Sequence, residues 1–138
     1  MLFGMMGLIA IFVQGGMIRV LVKRFGEKKL FLIGNFIMIA GLALIPFAGN
    51  VSALTLYLCL MGLGASLNGP TLTSLISKEA DPSKMGSVLG SSQGLSALGR
   101  VIGPTWGGFL FSIAMPVPFL ATAAVLVPTL WIGFKLNK

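Results

Sequence analysis

The chain has 138 residues, of which 56% are hydrophobic and only 9% charged. A water-soluble domain carries roughly 25% charged residues, so this composition excludes a soluble globular domain and places the chain in a bilayer. The net charge of +7 comes from ten Lys/Arg against three Asp/Glu, and apart from Arg100 these charges fall in or beside the short segments between apolar runs, which membrane orientation explains and nucleic-acid binding does not.

A spanning helix needs about 20 apolar residues to cross a hydrocarbon core about 30 Å thick. Five runs reach that length, at 2–22, 30–48, 53–76, 85–111 and 116–136. The turns between them read RFGEKK, GNVS, KEADPSK and AMPVP, each marked by Gly or Pro. Backbone groups in lipid must be satisfied internally, so the runs are expected to be helices, and the fold class is an all-α polytopic membrane bundle. The first run has no basic leader and no cleavage-like site, which argues against a removable signal peptide.

Basic residues cluster at the first turn (Arg19, Lys23, Arg24, Lys28, Lys29), at the third (Lys78, Lys84) and at the C-terminus (Lys135, Lys138). The second and fourth turns carry no charge. Basic loops stay in the cytoplasm, so the expected topology has the N-terminus outside and the C-terminus cytoplasmic, in a cell membrane. An odd number of spans with an outside start hints at sequence missing upstream. One cysteine (Cys59, in an apolar run) and no histidine leave no internal disulfide and no basis for a metal site. Neither a cofactor site nor an enzyme is indicated: the chain has no nucleophile with a base, no phosphate loop and no ligand cluster.

The first, third and fourth runs hold the polar residues at depth, Gln14 among them. Asn68, Gly69 and Pro70 are expected to loosen the third helix near its middle. In the fourth run Gly86, Gly90 and Gly94 recur every four residues, as do Gly99, Gly103 and Gly107. Such stripes let a neighbouring backbone approach closely. Pro104 removes a donor and crowds the preceding turn, so a kink is expected there. Arg100 lies near the middle of this helix, where an arginine costs at least about 2.5–3.5 kcal/mol on insertion scales. The three acids, Glu27, Glu79 and Asp81, all sit in turns, so the chain supplies no carboxylate partner at that depth. Backbone carbonyls near Pro104, water in a cavity, an anionic group or an acid on another segment are the alternatives. Gln93, seven residues earlier, shares the helix face of Arg100.

Gly90, Gly99, Gly103-Pro104 and Gly107-Gly108, at their spacing, resemble the antiporter motif of the major facilitator superfamily. RVLVKRFGEKKL resembles that family's loop signature: Arg24, Gly26, Lys28 and Lys29 carry the likeness, with Arg19 in place of the glycine and Lys23 in place of the aspartate. The stretch NGPTLTSLISKEADPSKMGSVLGSSQGLSALGRVIGPTWGGFLF is similar to the tenth and eleventh helices of bacterial tetracycline and multidrug exporters. The resemblance implies that the five runs are helices eight to twelve of a twelve-helix carrier, a single partial C-terminal domain over 1–138. It implies secondary export of a small amphipathic compound by proton antiport, with Arg100, Gln93, Asn68 and Gln14 along the substrate pathway. The equivalent of the second helix faces outward, so Asn35 is expected to be a packing residue. RFGEKK becomes an interdomain latch. The implied partners are the lipid bilayer, the missing N-terminal half, the substrate and the proton. With no histidine and no intramembrane acid, this chain cannot carry the coupling proton itself. A split transporter completed by a second chain, or a truncated remnant that does not transport, are the alternatives.

Overall fold

The computed structural model describes residues 16–135. These residues form α1 (Ile18–Phe25), α2 (Glu27–Leu44), a 3₁₀ turn (Ile45–Phe47), α3 (Val51–Glu79), α4 (Met85–Ile113) and α5 (Val117–Lys135). The breaks have local causes. Gly26 separates α1 from α2 at φ +77°, a backbone region open to glycine. Its N–H donates to Val22 O at 2.9 Å and its carbonyl accepts from Leu30 N at 3.2 Å. Pro46 tightens the end of α2 into the 3₁₀ turn. Asn50 caps α3, its Oδ1 accepting from Ala53 N at 2.8 Å. Between α3 and α4 the Asp81 carboxylate accepts from Ser83 N at 2.9 Å and from Ser83 Oγ at 2.7 Å.

The core centres on α2, which packs antiparallel against α3 on one side and α5 on another. Leu42, Ile45 and Ala123 form one buried cluster with Tyr57, Leu58 and Phe119 around it. Ile18, Leu30 and Leu67 form the other, where α1 meets the α2–α3 pair. The α2–α3 crossing is closest at three glycines. A Cβ on Gly34 would lie 3.1 Å from Gly64 O, one on Gly41 2.7 Å from Met61 N, and one on Gly64 2.6 Å from Gly34 O. Backbones in lipid associate by such close contact, because lipid supplies no hydrophobic force between helices.

From Glu27 onward the helix ends fall within a few residues of the sequence reading. Of the five expected spans, three are described helices long and apolar enough to cross a membrane by length and composition: Glu27–Phe47, Val51–Glu79 and Val117–Lys135. α4 is long enough, but its glycines, serines, Gln93 and Arg100 dilute its leucines and isoleucines, so composition alone does not mark it as a span. The predicted run at 2–22 lies mostly outside the described residues. The loosening expected at Pro70 is not seen, since α3 runs unbroken through it. Neighbouring hydroxyls donate to carbonyls one turn back: Ser66 Oγ to Gly62 O at 2.8 Å, Thr71 Oγ1 to Leu67 O at 2.6 Å and Thr73 Oγ1 to Gly69 O at 3.0 Å. α4 likewise continues through Pro104.

Candidate functional site: the polar helix α4 and an asparagine pair between α2 and α3

α4 is the least covered element. None of its residues is buried, and it meets α5 through an edge-on contact of Phe111 with Phe119, ring centroids 5.6 Å apart. Gln93 and Arg100 are both exposed. Arg100 stands 15 residues from Met85 and 13 from Ile113, which is roughly 20 Å of helix on either side at 1.5 Å per residue. Among the described residues no carbonyl or carboxylate pairs with its guanidinium. Snorkelling to an interface serves residues near helix ends, so on a spanning helix an arginine at this position would need water or a partner at its own depth.

The glycine stripes lie bare on this helix. A Cβ placed on Gly86, Gly90, Gly94, Gly99, Gly103, Gly107 or Gly108 would meet nothing within 4 Å. The close approach expected of these glycines therefore does not occur between the described helices. It occurs instead at Gly34, Gly41 and Gly64, which the sequence reading passed over. Their signal was present in GNFIMIAG and MGLGASLNGP, where small residues recur on one face of each helix.

Asn68 and Asn35, assigned different roles from sequence, meet across the α2–α3 interface. Asn68 Nδ2 donates to Asn35 Oδ1 at 3.0 Å. Asn35 is 2% exposed, in keeping with the packing role expected of it. Gly34 makes room for the pair, since a Cβ there would fall 2.8 Å from Asn68 Oδ1. Asn35 Nδ2 and Asn68 Oδ1 have no hydrogen-bond partner among the described residues. The pair thus offers one spare donor and one spare acceptor inside the bundle. Gln14 lies outside the described residues.

At one end of the bundle the first and third turns come together. Lys78 Nζ lies 2.6 Å from Glu27 Oε1, and Ser74 Oγ donates to the same oxygen at 3.0 Å. This cross-link joins the start of α2 to the end of α3, so the two basic turns share one side of the bundle. Of the loop residues, Arg24 lies over the Phe25 ring at 5.9 Å, Gly26 makes the break between α1 and α2, and Lys29 borders a groove between α2 and α5. Glu27, given no role from sequence, is the residue that ties the loop down.

The sequence matches the model of the Major Facilitator Superfamily over residues 1–137. The chain belongs to this superfamily of membrane transporters. Multidrug resistance protein 2 of Bacillus subtilis is 31% identical over 124 residues, covering 87% of this chain and 30% of its own length. Multidrug resistance protein MdtH of Aeromonas hydrophila is 32% identical over 117 residues, covering 78% of this chain and 30% of its own. The tetracenomycin C resistance and export protein of Streptomyces glaucescens is 30% identical over 113 residues, covering 75% of this chain and 21% of its own. The chain therefore spans about a third or less of the relatives it matches. No solved structure matches it.

Proposed function

We propose that these residues form most of the C-terminal lobe of a drug exporter, and that α4 is the face this lobe turns toward the substrate pathway and the other lobe. The observation that carries the reading is Arg100: a fixed charge at mid-helix, exposed, with no partner among the described residues. Such a group is tolerated at membrane depth where it faces a bundle interior or a watery cavity. Gln93 lies on the same face, and the open glycines beside them leave room for a partner helix to approach at backbone distance. In transporters of repeated architecture the substrate sits between two such lobes near the midplane.

The names of the relatives, which speak of multidrug resistance and tetracenomycin C export, support a small amphipathic substrate moved out of the cell. On this reading Arg100, Gln93, Asn68 and Gln14 line the pathway, and the lysine-rich turns joined by Glu27 and Lys78 lie in the cytoplasm. The coupling proton is carried by an acid of the N-terminal lobe, since the acids of this chain lie at helix ends and in a turn.

The test is efflux of ethidium from cells carrying this chain fused behind a seven-helix N-terminal segment of an exporter relative. Export that stops on adding a proton uncoupler is expected. Arg100→Ala should lower the initial rate at least tenfold with the membrane-inserted amount unchanged. A fused protein that inserts fully and exports equally well with Arg100→Ala would remove the pathway role of α4.

A further inference from the structure

On the reading that α4 faces the pathway, its polar groups decide which charge the pathway accepts. Between Met85 and Ile113 the helix carries one charged residue, Arg100. The acids of the chain are remote from it. Glu27 is held by Lys78 and Ser74 at the start of α2, Glu79 ends α3, and Asp81 accepts from Ser83 in the turn before α4. The helix from Met85 to Arg100 alone puts roughly 20 Å between that turn and the guanidinium's residue. A second polar group lies beside it. Pro104, four residues on, has no N–H, so the Arg100 carbonyl loses its ordinary helical donor. Arg100, Pro104 and Gln93 share one face, because steps of four and seven residues return to within about 40° of the same direction.

A lipophilic cation is held by carboxylates or by the faces of aromatic rings. The Arg100 face has neither within one turn, where it presents Ser96, Ala97, Gly103 and Pro104. Trp106 and Phe109, whose rings meet edge-on at 6.3 Å, lie about 120° and 180° around the helix from Arg100. Phe111 returns to the Arg100 side but is engaged by Phe119 of α5. A guanidinium, in contrast, offers forked N–H donors that match the two oxygens of an acid, and the freed carbonyl beside it accepts from a neighbouring hydroxyl. We propose that the exporter selects compounds bearing an acidic oxygen, a carboxylate or a phenolate, and that this oxygen pairs with Arg100. The proposal rests on α4 facing the pathway and adds the charge of what passes. A cation of the same shape loses the attraction and meets a repulsion, so with water still reaching Arg100 the discrimination is at least about tenfold.

Two xanthene dyes with one ring frame and opposite charge provide the readout: fluorescein as the anion and rhodamine 123 as the cation. Their initial rates of uptake are measured near neutral pH in inverted membrane vesicles that carry the fused exporter, with an imposed proton gradient, above the rates of vesicles without it. The ethidium rate reports on the pathway, and the fluorescein to rhodamine 123 ratio reports on the charge. At equal inserted amounts, Arg100→Gln should lower that ratio at least about tenfold. Arg100→Lys should keep most of it, and Arg100→Glu should lower it below the glutamine value. A ratio unmoved by Arg100→Gln while all three rates fall would mean that Arg100 pairs with an acid of the other lobe, which overturns the proposal and leaves α4 in the pathway. Three rates unmoved by the same change would take α4 out of the pathway and the proposal with it.

Discussion

Gly64→Ala tests the α2–α3 crossing directly. The new methyl carbon would lie 2.6 Å from Gly34 O, 2.7 Å from Met38 N and 2.9 Å from Met38 Cβ. Two of these are backbone atoms, so no rotamer change relieves them and the helices must separate. Restoring ordinary contact at about 3.5 Å means a local shift of about 0.9 Å. The Asn68–Asn35 hydrogen bond, now 3.0 Å, would then stretch beyond the useful range of about 3.2 Å. Overpacking of this kind costs about 1–3 kcal/mol, and an interhelical hydrogen bond in lipid adds about 0.6 kcal/mol. Alanine returns about 0.5–1 kcal/mol of helix propensity over glycine. The net loss is about 1–3 kcal/mol, or roughly 4–12 °C at about 4 °C per kcal/mol for a chain of this length. Cys59, half-buried on α3 and the one cysteine of the chain, reports the melting through a thiol-reactive dye. Gly103→Ala is the matched control. Nothing lies within 4 Å of its added carbon, so the midpoint of this chain should stay or rise. Equal shifts for the two variants would refute backbone contact as the reason for glycine at position 64.

Two further outcomes follow from the same geometry. Asn35→Leu or Asn68→Leu alone leaves a buried amide without its partner, and each should destabilise more than the pair together, with a coupling energy of about 0.6 and at most about 1.7 kcal/mol. A double-mutant cycle on the same thermal assay measures it, and a coupling of zero would show that the bond contributes nothing. Hydrogen bonds from the Ser83 side chain and backbone hold the Asp81 carboxyl below its ordinary value of 3.8. That stabilises the turn above the ordinary value and is lost as the pH falls through the lowered native value. Ser83→Ala should bring the Asp81 titration, followed by carboxyl-carbon NMR, back toward 3.8, and an unmoved midpoint would rule out the hydroxyl as a cause.

Membrane class, helical fold and helix ends were legible from residue types alone. Hydropathy decides whether a segment leaves water, and Gly26, Pro46, Asn50 and Asp81 act on backbone groups a few residues away, so their effect is local and readable. The superfamily was legible too, because the glycine and proline spacing of α4 is a one-dimensional pattern. The tertiary structure decided which small residues touch. Gly34, Gly41 and Gly64 meet a facing backbone, while the more conspicuous stripe on α4 meets nothing among the described residues. Periodicity shows that a face is smooth but not whether another helix lies against it. Asn35 with Asn68, and Glu27 with Lys78, are pairs 33 and 51 residues apart in the chain. Their meeting depends on how α2 and α3 cross, which is set by side-chain volumes on both helices at once. The lysine at 29 was read as part of a loop signature, and only the packing of α5 against α2 places it at the mouth of an apolar groove.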